Sequence, residues 1–168
     1  MSQRQTDRTA PTKGSLVTQP DHRPSVLFVC VKNGGKSQMA AALMRQLAGD
    51  ALEVHSAGTN PGDRLNEQSA QAVEELGATF AGEHPKPIDP AVLARVDRVI
   101  VTGGDARVDP LPGMAGQIEV WETDEPSERG IEGMERMRLV RDDLQRHVID
   151  LAAEMLGRDA EPCRGESE

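Results

Sequence analysis

Four short runs of aliphatic and β-branched residues, Ser25–Cys30 (S-V-L-F-V-C), Ala51–Ser56, Asp97–Thr102 (D-R-V-I-V-T) and Gln117–Trp121, alternate with stretches of helical pattern. A near-continuous apolar run of this length fits a strand covered on both faces. We read all four as strands, the third and fourth buried like the first. Between them, Ser37 is placed to cap an Ala/Leu/Met helix running to Leu47. Asn66 caps a second helix to Leu76, halted by Gly77, and Pro90–Ala94 forms a short third one with Pro in its first turn. From Glu132 onward, Met137, Val140, Leu144, Val148, Leu151 and Met155 recur at steps of three and four, one apolar stripe on a long helix. Strands alternating with helices predict an α/β fold: a four-stranded parallel sheet flanked by helices on both faces, joined by right-handed crossovers. Such sheets bind ligands at the carboxyl ends of their strands. Cys30 closes the first strand at such an end.

The 168 residues suffice for one domain with a real core, expected at 25–157. Residues 1–24, mostly polar and Pro-containing, read as a disordered arm, and 158–168 as a flexible charged tail. Aromatics are 2% and Tyr is absent, so the core must be aliphatic. A net charge of −9 argues against nucleic acid and anionic membranes as partners, and no stretch is apolar enough for a signal segment or a membrane span. Two cysteines, Cys30 and Cys163, are too few for a disulfide framework, so a reducing cytoplasm is the expected location. His22, His55, His84 and His147 are scattered without metal-ligand spacing, and no metal is expected.

The turn from Cys30 to Ser37, C-V-K-N-G-G-K-S, carries the chemistry. Gly34 and Gly35 allow successive N–H groups of Val31, Lys32, Asn33 and the glycines to curl inward as an anion nest. The helix that follows adds its positive end, and Lys36 a full charge. Each of these favours a thiolate at Cys30, and the same donors can hold the oxyanion it attacks. Two other readings compete: an inert strand cysteine before a tight turn, and a nucleotide-binding P-loop. The latter shares Gly35-Lys36-Ser37 but has Cys30 where its first Gly is required.

The segment resembles the low-molecular-weight protein tyrosine phosphatase family and its arsenate reductase branch, whose loop reads C-x5-R-[ST]. The resemblance places Cys30 at the nucleophile, Asn33 at the Asn that braces the turn, and Ser37 at the hydroxyl that stabilises the thiolate. Lys36 departs from the family Arg, replacing a planar fork with a compact charge, which disfavours phosphate-monoester hydrolysis. With its Lys, the string C-V-K-N-G-G-K-S-Q-M-A is similar to arsenate reductases of mycothiol-producing actinobacteria. Ser56-Ala57-Gly58-Thr59 and Glu83-His84-Pro85-Lys86-Pro87 resemble two further family segments. The family's general acid precedes a Pro on a late loop. Alignment puts Glu125 of Asp124-Glu125-Pro126-Ser127 there, with Asp124 beside it, and disfavours Asp109-Pro110 as too close to the third strand. Arg138 and Arg141 on the long helix could steer an anion, although surface ion pairing is the plainer role.

The resemblance therefore implies an arsenate–mycothiol transferase with no tightly bound cofactor. Its expected partners are arsenate, mycothiol as co-substrate and a mycoredoxin-type protein. A phosphatase is the alternative, although that branch lines its site with aromatic residues and Tyr is missing here. The second alternative is a non-catalytic oxyanion- or nucleotide-binding module. No further Cys follows the third strand, where the segment reads Thr102-Gly103-Gly104-Asp105-Ala106, so an external thiol rather than Cys163 is expected to resolve the Cys30 adduct.

Overall fold

The computed structural model describes residues 23–157. Nearly all of the expected N-terminal arm, the C-terminal tail, His22 and Cys163 lie outside the described residues. The chain runs β1 (Ser25–Cys30), α1 (Lys36–Ala48), a 3₁₀ turn (Gly49–Ala51), β2 (Glu53–Gly58), α2 (Glu67–Glu74), α3 (Pro90–Arg95), β3 (Arg98–Thr102), β4 (Gln117–Trp121), a second 3₁₀ turn (Pro126–Arg129) and α4 (Gly133–Leu156). The strands form one parallel sheet in the order β2-β1-β3-β4. The chain leaves β1 toward β2 on one side and returns to β3 on the other. This reversal opens a crevice at the carboxyl ends of β1 and β3.

Apolar layers hold helices on both faces, as the alternation of elements predicts. Phe28 and Ile100 meet Met44 of α1, Val73 of α2 and the α4 stripe Met137, Val140, Leu144, Val148 and Leu151. On the opposite face Leu27, Val29 and Val99 pack against Leu93 and Val96. Met155, the last residue of the expected stripe, is only half-buried, because α4 ends within the next turn.

Several local expectations are corrected. α1 begins at Lys36 with Gly35 in the capping position, so Ser37 lies inside the first turn and caps nothing. β2 sits two residues later than the composition of Ala51–Ser56 implies, α2 ends at Glu74, and β3 begins at Arg98. β4 is an edge strand rather than a buried one: Val120 is 55% exposed and only Trp121 is buried. The alternation of Gln117 and Glu119 with Ile118 and Val120 carried that signal. Asn66 caps α2 as expected, accepting from Ser69 N, and Asp89 caps α3 by accepting from Ala91 N.

At the amino end of the sheet, Arg95 of α3 and His55 both reach Glu53 at 2.6 Å. The Arg95 hydrogen bond, then that of His55, hold the Glu53 carboxyl down to about 2. A carboxyl lowered on folding stabilises the fold above its ordinary range near 4.5, and that contribution disappears as pH falls toward 2. Glu53→Gln should therefore destabilise the protein at neutral pH, and the difference from the native chain should vanish by about pH 2; urea unfolding across that range measures it.

Candidate active site

The loop after β1 is built around Asn33, which is fully buried and takes a left-handed conformation at φ 56°. This region strains most side chains, and Asn is among the few that tolerate it. Its amide accounts for the tolerance. Asn33 Nδ2 donates to Ser37 Oγ at 2.8 Å, while Oδ1 accepts from Gln38 Nε2 at 3.1 Å and from the Lys86 backbone N–H at 3.0 Å. In the same turn the Asn33 backbone N–H donates to Cys30 Sγ at 3.2 Å. The loop's left-handed residue is thus Asn33, not a glycine. Gly34 instead gives room for the Arg64 carbonyl, which an added Cβ would approach to 3.1 Å.

Ser37 completes the surroundings of Cys30. Its Oγ lies 2.9 Å from Cys30 Sγ and accepts from Asn33 Nδ2 at 2.8 Å; toward a thiolate sulfur, which has no proton to give, the Ser37 hydroxyl is the donor. Two donors therefore converge on Cys30, and such bonds strengthen when the acceptor is charged.

The two flanking segments acquire physical roles. Gly58 lies against the loop so closely that a Cβ would meet Val31 O at 2.5 Å, so only glycine fits. Thr59 N and Asn60 N then donate to the carbonyls of Cys30 and Val31 at 2.9 and 2.8 Å. The segment around His84 braces from behind: His84 O accepts from the fully buried Gln38, and Lys86 spans Asn33 and Gly58 through its backbone N–H and carbonyl.

Above Cys30 opens a cavity of about 580 Å³, walled by Val31, Lys36, the Thr102–Ala106 segment, Thr123, Glu125 and Arg136. Lys36 Nζ donates to Thr123 Oγ1 at 2.9 Å and forms an ion pair with Glu125, which also receives Arg136 Nη2 at 3.4 Å. Burial, then the neighbouring Arg136 charge, lower the Lys36 ammonium below its ordinary range. Lys32, Gly34 and Gly35 face a neighbouring groove of about 970 Å³ that shares Lys36 and Arg136 with the first.

The structure separates the two acid candidates. Glu125 lines the cavity, whereas Asp124 is turned into an ion pair with Arg129 at 2.8 Å that holds its carboxyl below the usual range. Asp124 thus ties the loop to Arg129, while Glu125 is the acid candidate that borders the cavity. Trp121 secures this loop by packing its ring 5.7 Å from Phe28 and 4.8 Å from His147. Asp109 is exposed and outside the cavity. Arg138 and Arg141 are tied to Glu75 at 2.8 Å, joining α4 to α2 rather than facing the cavity.

Thr123, Asp105 and Arg136 are wall residues that sequence reasoning missed. For Arg136 a signal existed: it stands one turn before Val140, extending the buried stripe toward the end of α4 that meets the carboxyl edge of the sheet. Among the described residues, no group of His, Cys, Asp and Glu is close enough to hold a metal ion. Nor is any helix long and apolar enough to cross a membrane. Asn33→Ala should expose how much the loop depends on one amide. It leaves Ser37, Gln38 and Lys86 without their partner and should cost about 2–4 kcal/mol in urea unfolding.

Residues 25–161 match the family described as low molecular weight phosphotyrosine protein phosphatase. A putative arsenate reductase of Halobacterium salinarum is 31% identical over 129 residues, which are 74% of this chain and 87% of that protein. The arsenate reductase of Bacillus subtilis is 32% identical over 104 residues, 61% of this chain and 73% of its own. The solved thioredoxin-dependent arsenate reductase of Corynebacterium glutamicum superposes with a TM-score of 0.67 at 28% identity, over 82% of this chain but only 64% of that one. A solved arsenate reductase in its phosphate-binding state gives 0.68 at 26% identity, over 79% and 98%. With the loop, its braces and these likenesses in agreement, the chain belongs to the low molecular weight phosphotyrosine protein phosphatase family, on its arsenate reductase branch.

Proposed function

We propose that the protein reduces arsenate, with Cys30 as nucleophile. The observation that carries this reading is the sulfur itself: it accepts from Asn33 N–H and faces the Ser37 hydroxyl, at the floor of a cavity whose wall holds a cation and a carboxyl in contact. The thiolate attacks arsenic, an S–As bond forms, and one oxygen departs as water after protonation. Glu125 gives that proton. An incoming oxyanion competes with Glu125 for Lys36 and Arg136, which frees the carboxyl to carry a proton to the departing oxygen. Lys36 then faces the charge that builds on the remaining oxygens.

The second half of the reaction needs a reductant. The Thr102–Ala106 segment lines the cavity and holds no Cys. This favours transfer of arsenic to an external small thiol, for which mycothiol is our proposal. A mycoredoxin-type protein then attacks the thiol sulfur. Two electrons pass to arsenic, arsenite departs, and the two sulfurs leave as a disulfide. The Corynebacterium relative is thioredoxin-dependent, so thioredoxin is the comparison that decides. A cytoplasmic setting, reducing enough to keep Cys30 as a thiol, belongs to the same proposal.

Arsenite formation should be supported by mycothiol with mycoredoxin and abolished in Cys30→Ser. Turnover with thioredoxin alone would overturn the external-thiol route while leaving arsenate reduction intact. Glu125→Gln should lower kcat by about 10²–10⁴-fold without loss of folding, while Asp109→Asn should stay near native. Asp124→Asn should cost much less than Glu125→Gln, since its carboxyl points at Arg129. Steady-state kinetics with circular dichroism on each variant checks the order.

A further inference from the structure

Among the described residues, Arg136 is the cation of the cavity wall with a buried N–H left without an acceptor. Its Nε is shut off from solvent and, among the described residues, has no hydrogen-bond partner, and the one ion pair it makes there, Nη2 to Glu125 Oε1, is long at 3.4 Å. The two arginines that follow it on α4 differ. Arg138 makes three hydrogen bonds to Glu75 at 2.8 to 3.1 Å, and Arg141 binds Glu75, the Ala72 carbonyl and Asp142 at 2.8 to 2.9 Å. A buried N–H without an acceptor is costly, and a guanidinium offers a planar fork that suits tetrahedral oxyanions.

The loop makes this arrangement consequential. The cation it presents to this cavity is Lys36, a point charge, and that charge is already engaged by Thr123 and Glu125. Cys30, Lys36, Glu125 and Arg136 border the same cavity. We propose that Arg136 is an oxyanion-binding residue, supplying from α4 the guanidinium fork that the loop itself lacks; this rests on the reading that an oxyanion sits over Cys30. When the anion enters, Arg136 exchanges its long contact with Glu125 for two oxygens of the ligand, and Nε gains its acceptor. Lys36 balances the remaining charge. The division of labour places the planar donor on a core helix and the compact one on the loop.

The test uses the full-length chain and reads binding separately from turnover. Protection of Cys30 from iodoacetamide by arsenate, and independently by phosphate, gives apparent Kd values without requiring reduction. Arg136→Gln should weaken protection by both ions about 10- to 100-fold, raise KM for arsenate in step, and change kcat less than KM. Arg136→Lys should recover part of the loss, and Lys36→Arg added to Arg136→Gln should recover more, because it restores a fork to the site. Thermal unfolding identifies any variant that fails to fold, and the Lys variant then carries the comparison. Unchanged protection in a folded Arg136→Gln protein overturns the inference. So does a fall in kcat with a shifted pH profile and native protection, which would make Arg136 a positioning residue for Glu125 alone. If neither ion protects Cys30 in the native protein, the oxyanion reading itself fails and this inference with it; if both protect but no arsenite forms, only arsenate reduction fails.

Discussion

A single carboxamide holds this site together. Asn33 bends the chain through a conformation that most residues avoid, and it does so because its side chain binds the loop on one side and the rest of the domain on the other. Asn33 Nδ2 holds the Ser37 oxygen in place beside Cys30 Sγ. Gln38 and Lys86 connect the same amide to the helix and to the segment beside β2. The sulfur is presented by a network whose members each depend on the others, and such networks are worth more intact than their separate bonds suggest.

The sheet supplies the rest of the geometry. Because β1 lies between β2 and β3, the segments after β2 and β3 flank Cys30 from opposite sides. Gly58 allows close approach from one side, and the Thr102–Ala106 segment walls the cavity from the other. The turn after β4, anchored by Trp121 on Phe28 and His147, brings Thr123 and Glu125 over the loop. Cys30 thus closes a strand, Lys36 and Arg136 stand in the first turns of α1 and α4, and Thr123 and Glu125 lie on the anchored turn after β4.

Much of this was legible in the amino-acid sequence, and the exceptions have physical reasons. β1 and β4 fall where hydrophobic patterning puts them, since a short apolar run bounded by polar residues has few alternatives. β2 slipped by two residues because a 3₁₀ turn at Gly49–Ala51 uses residues that could equally begin a strand. Ser37 was misread as a cap because a hydroxyl at a helix start has two possible partners, and sequence does not show that a cysteine takes precedence over a backbone N–H. Asp124 and Glu125 are neighbours with the same chemistry, separated only by Arg129, whose pairing becomes visible once the 3₁₀ turn folds. Arg136 escaped notice because arginine near an apolar stripe reads as surface until the helix axis is aimed.

The ion pair between Lys36 and Glu125 has a bearing on selectivity. Whatever enters the cavity must do work to separate two opposite charges that already satisfy each other in a partly buried place. A neutral ester or a weakly charged ligand has nothing with which to recover that work, so its affinity falls by the full amount. A small oxyanion of high charge density takes the carboxylate's place beside the Lys36 ammonium and recovers that work there, while the displaced carboxyl is left to take up a proton. The closed pair thus acts as a charge-density threshold, turning away molecules that merely fit and admitting those whose own field can pull it apart.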